Sequence, residues 1–176
     1  MLAPQILLLL AANLAVAYTL ENSATCGEGL QRICYGVSGG MSQDLDPEDV
    51  QYVADYLRYL SDQNEGAAKF WNMPKSIDCA EWGLPVPSGL TVLALAKHVD
   101  PRIDSSILYE DLAAAIDGGL DGPVRDQEKL VGCGKNGGQI GVQADLANSL
   151  YYTKEYNESK AKPEGIIIKL VHAPLA

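Results

Sequence analysis

The stretch DPEDVQYVADYLRYL, residues 46–60, decides which fold class the chain can adopt. Asp46 can accept hydrogen bonds from free backbone amides, and Pro47 suits the first position of a helix. Acidic residues in the next two positions complement the positive end of the helix dipole. Apolar residues then recur at helical spacing, at Val50, Val53, Ala54, Leu57 and Leu60. The stretch therefore predicts an amphipathic helix from about Pro47 to Leu60.

Strand patterns lie on both sides of this helix. Residues 32–37 alternate, with Ile33, Tyr35 and Val37 on one face. Residues 76–86 and 90–99 are typical of two strands joined by a Pro- and Gly-containing turn. The second of these is almost continuously apolar, which favours a central strand covered on both faces. Residues 165–171 predict the last strand.

A second helix and a hairpin complete the pattern. Ser105 and Ser106 open the predicted helix, and Gly118-Gly119 ends it. Asn136-Gly137 is a hairpin-turn signal between residues 129–134 and 139–142. The polar composition of residues 61–68 predicts a linker, and the charged composition of residues 120–128 predicts a loop.

The order of elements is β-α-β-β-α-β followed by extra strand material. This order predicts an α+β fold, a split-βαβ (ferredoxin-like) sandwich with two helices on one face of a mainly antiparallel sheet. A less regular α+β fold is the alternative.

The N-terminal residues predict export. The apolar run from Ile6 to Ala12 closes with Ala15-Val16-Ala17, whose small residues suit signal-peptidase cleavage before Tyr18. The run is too short to span a bilayer comfortably. We expect a signal peptide at residues 1–17 and a single extracellular domain, a monomer without membrane insertion, at residues 18–176.

The charge and the cysteines fit that compartment. The net charge of −10 excludes nucleic acid and anionic lipid as favoured partners. The four cysteines predict two disulfides, for which three pairings are possible, and their spacing does not match a zinc site. They are Cys26, Cys34, Cys79 and Cys133. Asn157-Glu158-Ser159 is an N-glycosylation acceptor in a polar, loop-like region.

Candidate chemical motifs have simpler explanations. The acidic residues 44–49 resemble calcium ligands, but Pro47 interrupts the spacing and helix capping explains them. The glycine-rich residues 132–138 lack the spacing of a phosphate loop. No Gly-x-Ser-x-Gly elbow accompanies His98 or His172. Asp78 and Glu81 point to opposite faces of one predicted strand. We therefore assign no catalytic, cofactor-binding or metal-binding residue.

Aromatic residues are the best candidates for a binding surface. Trp71, Trp82 and the tyrosines could stack on sugar rings or fill the core. The group most suited to an exposed binding patch is Tyr151, Tyr152 and Tyr156, which lie in a polar stretch.

Three stretches of the second half are similar to a known group of proteins. They are the cysteine-centred residues 79–86 (CAEWGLPV), the amphipathic residues 107–116, and the glycine-rich residues 131–142. These resemble small secreted fungal proteins of the killer-toxin-like and necrosis-inducing effector group. The resemblance implies a fungal α/β-sandwich that acts on a host or competitor without catalysis. It transfers no functional residue, because that group has no shared catalytic motif.

We therefore expect a secreted, non-enzymatic effector or toxin-like protein that binds a host or competitor protein or glycan. The alternatives are a secreted carbohydrate-binding protein, a small hydrolase, and a structural or cell-wall protein. The lack of repeats weighs against the last.

Overall fold

The computed structural model describes residues 26–88, 90–119 and 126–174. The signal peptide predicted at residues 1–17 lies outside these residues, as does most of the charged loop predicted at residues 120–128.

Short strands alternate with helices along the described chain. The strands are β1 (Ile33–Cys34), β2 (Phe70–Met73), β3 (Glu81–Gly83), β4 (Val92–His98), β5 (Ser105–Leu108), β6 (Gly138–Gly141) and β7 (Ile166–His172). The α-helices are α1 (Pro47–Gln63), α2 (Tyr109–Asp117) and α3 (Lys154–Ser159). Shorter 3₁₀ helices cover Gly66–Lys69, Leu130–Asn136 and Ser149–Tyr152.

Two antiparallel sheets carry the fold. The main sheet has five strands in the order β1-β6-β7-β4-β3, and β2 pairs with β5 in a second sheet of two strands. Each pairing between these strands is antiparallel. The predicted α+β class with a mainly antiparallel sheet is therefore confirmed.

The core lies between one face of the main sheet and the two longer helices. Alternate residues of β4 and β7 point to this face, because successive strand residues face opposite ways. The core residues from these strands are Val92, Ala94, Ala96, Ile166, Ile168 and Leu170. Helix α1 contributes Val50, Val53, Ala54 and Leu57, and α2 contributes Leu112, Ala113, Ala115 and Ile116.

Helix α1 begins as the sequence predicts. Asp46 has extended backbone geometry, and its Oδ1 accepts a 2.9 Å hydrogen bond from the Glu48 amide. Asp49 has a further role, since its Oδ2 accepts bonds of 2.7 Å from the backbone and the hydroxyl of Thr91. The helix continues to Gln63, so it takes up the first part of the predicted linker.

The second predicted helix begins later than expected. Ser105–Leu108 is strand β5, paired with β2, and α2 starts only at Tyr109. The tertiary reason is that Phe70–Met73 supplies a partner strand, which was not predicted. Gly118 ends the helix as predicted, in left-handed geometry with φ 102°.

The hairpin predicted around Asn136-Gly137 is wrong. Residues 130–136 form 3₁₀ turns rather than a strand, and β6 pairs with β1 and β7. Gly132 allows this packing, because a Cβ there would lie 2.0 Å from the Gln127 carbonyl oxygen. A side chain at this position would displace the backbone of residue 127.

Three other strand predictions need correction. Of residues 76–86, only Glu81–Gly83 forms a strand. Asp78 Oδ1 accepts from the Ala80 amide before it, and the Val86 amide donates to the Leu84 carbonyl oxygen after it, so the chain turns on both sides. The strand predicted at 32–37 ends at Cys34, and Val37 is 73% exposed. Strand β4 is central, but its burial alternates, so only one face is fully covered.

Two disulfides are present, as predicted. Cys26 pairs with Cys79, and Cys34 pairs with Cys133, with Cα–Cα distances of 5.6 and 5.2 Å. The second bond joins β1 to the 3₁₀ segment before β6. Within the described ranges, no helix is long and apolar enough to cross a membrane.

Candidate binding site on the outer sheet face

The face of the main sheet opposite the helices carries a charged cluster. Strand pairing creates it, because directly opposed residues project from the same face. Lys97 of β4 is opposite Glu81 of β3, while Lys169 of β7 is opposite Gln139 of β6. The β4 residues on either side of Lys97, Ala96 and His98, are buried on the core side, so Lys97 points away from the core. The strand register places Glu81, Lys169 and Gln139 on the same outer face.

The N-terminal segment of the described chain completes the cluster. Glu28 Oε1 accepts from Lys169 Nζ at 3.0 Å, and Glu28 Oε2 forms an ion pair with Lys97 Nζ. Lys169 also pairs with Glu81. The side chains of Lys97 and Lys169 are only 15% and 13% exposed. Two ammonium and two carboxylate groups are thus held together in a half-buried setting, where their charges balance.

Two members of this cluster, Glu28 and Lys169, have pKa values shifted away from neutral pH. Burial alone would raise the pKa of Glu28, but hydrogen bonds from Lys97 and Lys169 lower it overall. Burial alone would lower the pKa of Lys169, but its bonds to Glu81 and Glu28 raise it. Burial raises the pKa of Tyr35, whose hydroxyl donates to Gln139 Oε1 at 3.2 Å.

A cleft of about 450 Å³ opens beside these groups. Glu28, Tyr35, Gln139 and Lys169 line it, together with glycines from two loops. Gly40 has φ 61°, and a Cβ on it would lie 2.9 Å from the Tyr35 ring. The loop can therefore lie flat against the ring and leave the cleft open.

This arrangement favours binding over proton transfer. A general acid or base works best with a pKa near the working pH. In the cleft the pKa of Glu28 lies below its ordinary value, while those of Tyr35 and Lys169 lie above theirs. These three groups keep one charge state at neutral pH and offer a fixed polar surface.

The cluster is expected to stabilise the fold on a plateau around neutral pH. The contribution of Glu28 is complete above its ordinary pKa of 4.5 and is lost as the pH falls through its lower folded pKa. The contribution of Lys169 is complete below its ordinary pKa of 10.5 and is lost as the pH rises through its higher folded pKa. Glu28→Gln should lower the free energy of unfolding at pH 7 by about 1–2 kcal/mol. Urea unfolding across the pH range measures this, and an equally steep acid limb in the variant would contradict it.

The residues predicted as an aromatic patch do not share one exposed surface. Tyr152 is 64% exposed, but Tyr151 and Tyr156 are buried against Phe70, with ring centroids 5.4 and 4.9 Å away. The hydroxyl of Tyr151 donates to the buried Asp111, and that of Tyr156 donates to the Ser106 carbonyl oxygen. Two of the three rings therefore hold the fold together, and a binding role for Tyr152 stays a prediction.

The other singled-out residues lie apart from one another. His98 is buried and its Nε2 bonds to the Pro74 carbonyl oxygen, whereas His172 Nδ1 contacts the Gln43 carbonyl oxygen. Asp100 is paired with Arg102. Within residues 26–88, 90–119 and 126–174, no three His, Cys, Asp or Glu side chains are grouped to hold a metal ion. Asn157 is exposed on α3.

The charged cluster was not predicted from the sequence. The available signal was a lysine inside each of the two most apolar strands, Lys97 in VLALAKH and Lys169 in IIIKLVH. Lysine is almost never fully buried without a partner, so each implies an acidic neighbour. Both lysines share the neighbour Glu28. Its identity could not be predicted, because its contact with Lys169 spans 141 residues of sequence.

No protein-family model, curated relative or solved structure matches this chain.

Proposed function

We propose that this chain is a secreted, non-enzymatic effector or toxin-like protein that binds a host or competitor target through the outer-face cleft. The observation that carries the proposal is the charged cluster of Glu28, Glu81, Lys97 and Lys169 beside a cleft of about 450 Å³. A cavity of this size suits a protruding side chain or loop of a partner. The net charge of −10 favours a target with a basic surface, because long-range attraction speeds encounter.

The proposed fold type is the split-βαβ sandwich of the killer-toxin-like group. Strands β4 and β6 are each antiparallel to β7, which lies between them, so β4 and β6 run in the same direction. Helix α2 lies between β4 and β6 in the sequence. Strand β4, helix α2 and strand β6 therefore form a βαβ unit, and β7 lies between its two parallel strands. A split-βαβ fold requires this connection.

Export is part of the same proposal. The signal-like residues 1–17, the two disulfides and the exposed acceptor Asn157 support it. Disulfides persist in oxidising compartments, and a chain that passes through the secretory pathway is expected to carry a glycan at Asn157.

The test compares two glycine variants on living targets. Gly29 lines the cleft, and a Cβ built on it meets no described atom within 4 Å, so a side chain can begin there and Gly29→Trp should occupy part of the cleft. Gly83 on β3 has the same open space but does not line the cleft, so Gly83→Trp is the matched control. Oxidised protein is applied to plant leaf tissue and fungal cells, and cell death and defence signalling are scored. We expect a response to the parent and to Gly83→Trp, and a response reduced at least tenfold for Gly29→Trp.

Two outcomes contradict the proposal. One is the absence of any response to the folded parent protein in both tissues. The other is an equal response to the parent and to Gly29→Trp, which would separate the activity from the cleft. A reduced sample, run alongside, tests whether the activity requires the two disulfides.

A further inference from the structure

A second cavity, of about 290 Å³, lies between the two-stranded sheet and helix α3. Phe70 of β2 and Tyr156 of α3 form its aromatic wall, with ring centroids 4.9 Å apart. Tyr156 is fixed by the bond from its hydroxyl to the Ser106 carbonyl oxygen, which measures 2.9 Å. The cavity therefore has a rigid aromatic wall. It shares no lining residue with the outer-face cleft.

Polar side chains converge on the same cavity. Asn72 and Ser106 are directly opposed in the β2–β5 pairing, so they project from one face of that sheet. Glu155 also lines the cavity, with its Oε2 3.7 Å from the Cβ position of Gly66. In the described part of the chain, the Asn72 amide, the Ser106 hydroxyl and the Glu155 carboxylate have no hydrogen-bond partner.

Two other hydroxyls of the lining are already engaged. Thr153 Oγ1 donates to the Leu150 carbonyl oxygen and accepts from the Tyr156 amide. Ser159 Oγ donates to the Tyr156 carbonyl oxygen and accepts from the Ala161 amide. The fold thus uses these two groups to shape α3, and the three remaining groups are available to a ligand.

These groups define the ligand's chemistry. Among the described residues, no Lys or Arg lines the cavity, and Glu155 would repel an anion. An amide and a carboxylate together offer two donors and several acceptors, which suits adjacent hydroxyl groups. An aromatic wall packs against the C–H face of a ring. The volume is close to the lower limit of about 300 Å³ for small-molecule pockets, so one ring fits.

We propose that the cavity bounded by Phe70, Asn72, Ser106, Glu155 and Tyr156 binds a single neutral sugar ring. This inference goes beyond the proposed function, because it concerns a separate site and a ligand rather than the effector target. The two proposals can therefore fail independently.

The experiment is an NMR titration of the oxidised protein, produced without a glycan at Asn157. The probes are neutral hexoses and N-acetylhexosamines, with choline as a cationic comparison. Asn72→Ala and Glu155→Gln alter exposed side chains of the lining, and Glu158→Gln alters an exposed neighbour that does not line the cavity. We expect a saturable shift with at least one sugar, weakened about tenfold or more in each lining variant and unchanged in Glu158→Gln.

Three results would overturn the inference. They are the absence of saturation by any of the neutral sugars, saturation that both lining variants leave unchanged, and saturation by choline alone. Matching circular dichroism spectra of the variants and the parent show that a weakened shift reports lost contacts rather than lost fold.

Discussion

Replacing Arg58 with alanine is expected to lower the free energy of unfolding by about 3–5 kcal/mol. Arg58 Nη1 and Nη2 donate to the two carboxylate oxygens of Asp117 at 2.7 and 2.5 Å, which ties α1 to α2. The two residues are 8% and 7% exposed. Removing the guanidinium leaves a buried carboxylate whose charge is no longer balanced. Urea unfolding followed by circular dichroism measures the loss.

Asp117 also makes this contact sensitive to acid. Burial alone would raise its pKa, but hydrogen bonds from Arg58, the Gly119 amide and Gln51 lower it overall. Its contribution to stability is therefore complete above the ordinary pKa of 3.8 and is lost as the pH falls through the lower folded pKa. The difference between the parent and Arg58→Ala should shrink in strongly acidic solution.

Two further variants test whether the loss comes from leaving the Asp117 carboxylate buried without its partner. Arg102→Ala removes an arginine that also pairs with an aspartate, Asp100, but whose side chain is 76% exposed. It should leave stability almost unchanged, because water screens the pair. The double variant Arg58→Leu/Asp117→Leu should lose less stability than Arg58→Leu or Asp117→Leu alone, since neither charge of the pair remains buried. A loss in Arg58→Ala no larger than that in Arg102→Ala would contradict the prediction.

Removing the disulfide between Cys34 and Cys133 is the second change with a large expected effect. The cysteines are 99 residues apart, and loop-closure entropy for such a loop amounts to about 4.7 kcal/mol. We expect Cys34→Ala/Cys133→Ala to lower the free energy of unfolding by about 2–5 kcal/mol. Strand β1 has only two residues, so the bond also fixes the edge of the cleft that carries Ile33 and Tyr35.

The second disulfide is the natural comparison. Cys26 and Cys79 are 53 residues apart, so the entropic effect of their removal should be smaller by about 0.6 kcal/mol. Thermal and urea unfolding of the two double variants measure both losses. A free energy of unfolding for Cys34→Ala/Cys133→Ala within about 1 kcal/mol of the parent value would contradict the prediction. It would mean that neither loop entropy nor fixation of β1 contributes much to stability.

The two candidate sites could be anticipated only in fragments. An isolated lysine in each of two apolar strands was an available signal for the charged cluster, but none of the predictions used it. Asn72 and Glu155 carried no sequence signal. Their positions beside Ser106 and Tyr156 depend on a strand pairing between residues 70–73 and 105–108. Such a pairing cannot be read from one segment, since both segments are only four residues long.

The sequence by itself determined the features whose causes are local. The start of α1 at Pro47, its buried stripe, the stop at Gly118 and the last strand follow from capping, helical spacing, backbone freedom and apolar runs. The number of disulfides followed from the even cysteine count. Only the tertiary structure decided the cysteine pairing, the sheet order, the burial of Tyr151 and Tyr156, and the partners of Lys97 and Lys169. These depend on contacts between distant segments, whose energies outweigh the weak local preferences of short strands and turns.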